Sequence, residues 1–181
     1  LEMYLFYYNQ LNNEEKKIYW FIKDALFSLE PRIYINDSYI PTQRLKEISW
    51  MITLDYHELY WTKGSFEINE KTGDRELRPA YLLSKDDIDR YDDYIFSEIS
   101  NISIGQRDIE EKICSVCNWM IENVRYDTDK YALKNKVNQT VLSVFVEKKS
   151  LCMGISKAFK LIAGLLDIES IIAIGDIFDE R

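Results

Sequence analysis

"KKSLCMGISKAF", residues 148–159, turns a polar loop into an amphipathic segment and sets a cysteine at the join. Past the join, Ile155, Phe159, Ile162 and Leu166 recur at steps of four, three and four, the spacing of one helix face. Ser150 stands just before this run, in the position of an N-cap. Cys152 then belongs to the first turn, where unpaired backbone N–H groups and the positive end of the helix dipole favour an anion. The thiolate is the nucleophilic form of cysteine, so the position suits a reactive thiol. A second reading stays open on spacing alone: a small apolar side chain buried at a helix start. Gly154 leaves room beside the first turn for whatever approaches it.

Upstream, "NNEEKKIYWFIKDALFSLE" (12–30) carries Ile18, Phe21, Ile22, Ala25, Leu26 and Leu29 on one side and predicts a helix. "RIYI" predicts a short strand ended by "NDS", and "TQRLKEISWMITLD" (42–55) a second helix. "ELYWTK", "SFEINE" and "RELRPAY" read as three strands of a meander, separated at Gly64-Ser65 and at Thr72-Gly73-Asp74. "SKDDIDRYDDYIFSEISNI" and "QRDIEEKICSVCNWMIENV" predict helices broken near Gly105. In the second, Ile109, Ile113, Val116, Met120 and Val124 fall at helical spacing. "TVLSVFVE" precedes the Cys152 helix, and "SIIAIGDIF" reads as a strand for its β-branched residues. The pattern is α+β: a mixed helix and meander leader domain over 1–104, then a second unit over 105–181 that carries Cys152.

Composition bounds the function. With 181 residues, 46% hydrophobic and 14% aromatic, the chain is expected to fold around a real core. A net charge of −8 with no basic stripe argues against nucleic acid as partner. "LIAGLLDIESIIAIG" is interrupted by Asp167, Glu169 and Ser170, so no membrane span is expected. "LEMYLFYYNQ" lacks the basic start and long apolar stretch of a signal peptide. Three cysteines make no disulfide framework.

The surroundings of Cys152 point further. "WMIENVRYDTD", a loop, and then "KKSLCMGISKAFKLIAGLLDIESIIAIGD" together resemble the transglutaminase-like superfamily. There, an Asn-x-x-Tyr-Asp segment at a helix end precedes a loop and the motif V-C-x-G-[YF]-[AS]-x-A-F. Asn123, Tyr126 and Asp127 match the first part, and Leu151 to Phe159 the second. "YYNQLNNEEKKIY" and "ITLDYHELYWTKGSFEI" resemble the leader of clostridial-type bacterial members, whose Asp-x-Pro-Glu-[LF]-[FY]-Trp box has His57 here in place of Pro.

The resemblance implies a papain-like core with Cys152 as nucleophile of a Cys–His–Asp triad, acting on peptide or glutamine carbonyls by acyl transfer or hydrolysis. It implies a protein or peptide substrate and a secreted or cell-surface parent. The family's His and Asp would follow Cys152, but no histidine does; Asp176 and Asp179 read as solvated loop acids. Without an imidazole to protonate the leaving amine, this chain alone is expected to be inactive or nearly so. The alternative is a non-catalytic protein-binding module that kept the fold and lost the triad. If the core stops short here, the apolar face of the Cys152 helix, Phe159 and Ile162 included, and a sheet edge are left for self-association.

Other features are weighed against plainer explanations. His57, the only histidine, sits in the leader and reads as structural. Tyr126 is the candidate substrate-facing ring, Gln139 a candidate oxyanion donor, and Gly154 part of the approach. Cys114 and Cys117 spell C-x-x-C mid-helix without a second pair, which favours core packing over metal or redox chemistry. "KDDIDRYDD" lacks EF-hand spacing and reads as a solvated face. The early aromatics Tyr4, Tyr7, Tyr8, Tyr19 and Trp20 read as core. Nothing calls for a metal or cofactor.

Overall fold

The structure is a computed structural model that describes residues 4–36, 40–71, 74–102, 108–135 and 137–175. It is α+β. After a short helix α1 (Phe6–Asn9), α2 (Asn13–Phe27) starts at a capping box. Asn12 Oδ1 accepts from the Glu14 and Glu15 backbones at 3.0 Å, and the Glu15 carboxylate accepts from the Asn12 backbone at 3.0 Å. Its buried face is Ile18, Tyr19, Ile22 and Leu26. Phe21, expected inside, is exposed, and Tyr19 takes the core position because its hydroxyl finds an acceptor there. That acceptor is Asp55, the last residue of α3 (Thr42–Asp55). Fully buried, Asp55 accepts from Tyr19 Oη at 2.7 Å and from the Tyr7 and Tyr8 backbones at 3.0 and 2.9 Å. One carboxylate thus ties α1, α2 and α3 together.

The sheet differs from the expected meander. β1 (Ile33–Ile35), β2 (Thr62–Lys71) and β3 (Asp74–Tyr81) are antiparallel in the order β1-β3-β2, with Leu77 opposite both Ile33 and Ile68. Gly64 is no turn between strands. It sits at φ +68° inside β2, where the register shifts between Thr62 and Phe66, so two expected strands are one strand with an irregularity. Residues 58–61 of "ELYWTK" form turns, because Leu59, Tyr60 and Trp61 are buried in succession, which an alternating strand cannot do. Trp61 Nε1 donates to the Leu26 carbonyl at 3.3 Å, and Tyr60 Oη donates to Asp92 at 2.7 Å.

Helices α4 (Lys85–Ser100) and α5 (Ile109–Asn123) start at Ser84 and Asp108, each accepting a first-turn N–H. Among the expected core positions of α5, Val116 and Met120 are buried, whereas Ile109 is exposed. Cys114 and Cys117, expected in the core, are also exposed: Val116 and Met120 set the inward face, and both thiols fall off it. β4 (Arg125–Tyr126) leads through a 3-10 turn (Ala132–Lys134) to the short buried α6 (Val141–Phe145). β5 (Lys149–Ser150) pairs in parallel with β4, and α7 (Cys152–Leu165) follows.

No strand forms over 170–175, although β-branched residues predict one. The Ile172 carbonyl instead accepts from Tyr7 Oη at 2.5 Å. The rest of that expected strand, Asp176 and Asp179, the Asp37-Ser38 and Thr72-Gly73 turns and the break near Gly105 lie outside the described residues. One apolar cluster includes Ile22, Leu45 and Leu77 from before residue 104 and Val116, Phe145 and Ile162 from after it. No helix among the described residues is long and apolar enough to cross a membrane.

Candidate active site around Cys152

Three backbone segments converge on the start of α7. β4 lies beside β5, with Asp127 N donating to the Ser150 carbonyl at 2.9 Å and Arg125 N to the Lys148 carbonyl at 2.9 Å. From the other direction, Leu151 N donates to the Asn138 carbonyl at 3.1 Å. Tyr126 and Gln139, the residues adjoining these contacts, therefore flank the Ser150–Cys152 segment. Tyr126 and Gln139 are exposed, and so is Cys152. The buried-cysteine reading of Cys152 does not hold.

A polar web beneath fixes this convergence. Buried Asn138 donates through Nδ2 to Asp127 Oδ2 at 2.8 Å and to the Ala132 carbonyl at 2.9 Å. Asp127 also accepts from Asp129 N at 2.9 Å and pairs with Lys149 Nζ at 2.7 Å. The Lys149 ammonium, with the Asp129 N–H, holds the Asp127 carboxyl below the usual carboxylate range. Asp127 is thus a structural anchor in this chain. Asn123, the other polar residue of that segment, returns its side chain to the Trp119 carbonyl at 2.8 Å.

Ser150 is not the N-cap. The helix begins one residue later, with Leu151 as N-cap and no side-chain cap. The Ser150 hydroxyl is fully buried and meets Ser143 Oγ at 2.6 Å. Gly154 serves the same contact. A β-carbon there would stand 2.2 Å from Ser150 Oγ, 2.7 Å from Ser143 Oγ and 3.0 Å from the Thr140 carbonyl. Its lack of a side chain lets α7 pack on α6, which is a sufficient reason for glycine at that position. With no capping side chain, the first-turn N–H groups of α7 stay available beside the Cys152 sulfur.

The far end of α7 holds what periodicity missed. Ile162, expected on an exposed face, is fully buried, on the side of α7 that packs against α6. Lys157 and Lys160 are buried too, and Lys160 Nζ donates to the Leu54 carbonyl at 2.9 Å. Burial pulls the Lys157 ammonium down to about 8. His57 is buried against Gly164: a β-carbon there would lie 3.7 Å from the ring's Cε1. Burial, then Lys160 and Lys157, depress its imidazole to about 3, so it is neutral at physiological pH. A lysine among apolar neighbours leaves no periodic signal, since an amphipathic pattern assigns it to the solvent face. Among the described residues no cluster of three or more metal-ligating side chains occurs.

The chain matches no model of a known protein family, and no curated protein is significantly similar to it.

Proposed function

We propose that this chain supplies the nucleophile of a transglutaminase-like thiol centre, with the fold around Cys152 forming the nucleophile-bearing half of a papain-like core. The supporting observation is the exposed Cys152 as first residue of an uncapped helix, flanked by Tyr126 and Gln139. The sulfur attacks a glutamine or peptide carbonyl carbon of a protein or peptide substrate. First-turn N–H groups of α7 meet the developing oxyanion. Collapse of the tetrahedral adduct leaves a thioester and expels the amine, which needs a proton; water or another amine then takes the acyl group. In this reading the proton comes from water, because the one histidine packs at the opposite end of α7.

Alkylation tests this reading, with Cys114 and Cys117 as controls that are likewise exposed. Iodoacetamide at neutral pH, followed by peptide mass spectrometry, is expected to modify Cys152 about ten-fold faster or more, because its sulfur alone stands at an uncapped helix start. Equal rates at the three sites would sink the proposal.

The position of His57 favours a second reading, a protein-binding module of the same fold without chemistry. It predicts saturable peptide binding that Cys152→Ser leaves intact, and no thioester with an activated glutamine peptide.

A further inference from the structure

Cys114 and Cys117 stand one turn apart on α5, and both are free and exposed. Residues three apart on a helix are surface neighbours, with β-carbons about 5–6 Å from each other. A disulfide asks for about 3.5–4.5 Å between those carbons, so the intact helix holds the two sulfurs too far apart to join directly. An atom set between them closes the gap. Two metal–sulfur bonds of about 2.3 Å each reach where one S–S bond of about 2.0 Å does not.

The number and kind of ligands decide which atom fits. Zinc in structural sites closes on four ligands, and among the described residues no cluster of three or more His, Cys, Asp or Glu side chains occurs. Calcium and magnesium take oxygen ligands. A soft monovalent ion, copper(I), is satisfied by two thiolates, and thiolate and thioether are its preferred donors. The surroundings are of the same kind. Cys117 lines a cavity of about 450 Å³ between α5, α7 and residues 170–173, together with Met120, Ile121, Ile155 and Phe159. Among the described residues no carboxylate or imidazole lines it, and the Met120 thioether stands one turn beyond Cys117.

We propose that Cys114 and Cys117 bind one copper(I) ion as a pair of thiolates. Binding is an exchange without oxidation. Each thiol gives its proton to solvent, so two S–H bonds break and two S–Cu bonds form, and the copper stays monovalent. The site makes no use of Cys152, so it stands or falls apart from the thiol reading.

Copper(I), added under argon with bicinchoninate as coloured competitor, is the probe. The protein is expected to take up one equivalent and to keep it against excess zinc(II). Cys114→Ser and Cys117→Ser are each expected to weaken uptake at least about 100-fold, since even a partner behind a metal ligand is worth about 10–100-fold. Both side chains are exposed, so neither change touches the core, and a thermal melt of each variant checks this. Cys152→Ser is expected to bind as the parent does. Iodoacetamide gives a second readout: one equivalent of copper(I) is expected to slow labelling of Cys114 and Cys117 at least about ten-fold and to leave that of Cys152 unchanged. No uptake against the competitor, displacement by zinc(II), parent-like uptake in a folded Cys114→Ser or Cys117→Ser variant, or loss of uptake in Cys152→Ser would each overturn the proposal.

Discussion

The His57 ring lies against Gly164, next to the last residue of α7, while Cys152 is the first residue of that helix. At about 1.5 Å of rise per residue, the two are separated by roughly 18 Å along the axis. No rotamer closes that gap. His57→Gln is therefore expected to leave the alkylation rate of Cys152 unchanged, measured by peptide mass spectrometry. A drop of about a hundred-fold or more, of the size that loss of a general base produces, would mean the ring reaches the thiol after all.

The same burial gives His57 a signature in stability. Its folded-state pKa is about 3, against 6.5 for the free side chain. The unfolded chain thus binds a proton that the folded chain refuses between these values. The His57 contribution is complete above pH 6.5 and is lost as pH falls toward 3, at up to about 1.4 kcal/mol per pH unit. The groups facing it are Lys160, Lys157 and Glu58. Burial raises the Glu58 carboxyl, so its own contribution runs the other way and is lost as pH rises. Urea unfolding at pH 7, 6 and 5 separates the two, because Glu58 is common to the parent and to His57→Gln. The parent is expected to lose stability relative to the variant as pH drops. Parallel pH profiles would show that His57 takes up its proton in the folded state.

Two glycines of α7 should answer the same substitution with opposite signs. An alanine methyl at Gly154 collides with two buried hydroxyls and a backbone carbonyl, the nearest at 2.2 Å. Relief needs α6 and α7 to part, at a cost of about 1–3 kcal/mol. At Gly164 the nearest atom is His57 Cε1 at 3.7 Å, an ordinary contact, and the helix gains several tenths of a kcal/mol or more. Thermal melts of Gly154→Ala and Gly164→Ala read the contrast directly. Equal shifts would mean that α6 does not sit on the first turn of α7.

What could be read in advance follows from which forces are local. Asn12 with Glu15 and the leucines and isoleucines of α3 announce their helices, because capping and a 3.6-residue period need no knowledge of the rest of the chain. Gly64 was legible as special but not as a strand irregularity. A positive φ serves either use, and what decides is Thr53, whose Cγ2 lies 2.7 Å from where a β-carbon would be. Cys152 was visible as the start of a helix, whereas the inward turn of Ser150 depends on Ser143 across a loop. Lys157, Lys160 and the unpartnered edge of His57 were illegible for the same reason. Their burial is imposed by the leader half folding over α7, and no spacing within α7 records it.

The approach to Cys152 hangs on Asn138, and its removal gives the last test. Asn138 is 1% exposed and contributes no apolar packing of consequence. Its amide holds Asp127 on one side and the Ala132 carbonyl on the other, while its own carbonyl receives Leu151 N. Asn138→Ala takes the donor from Asp127 Oδ2 and leaves the Ala132 carbonyl with the Asn135 N–H alone, and is expected to cost about 1–3 kcal/mol. The loss should also be local. Hydrogen exchange at Leu151 and Asp127, whose amides bond across this junction, is expected to speed up more than exchange at Ile52 in α3, which opens only with the core. If all three accelerate together, the junction belongs to the global folding unit, and the segments around Cys152 are not held by this side chain in particular.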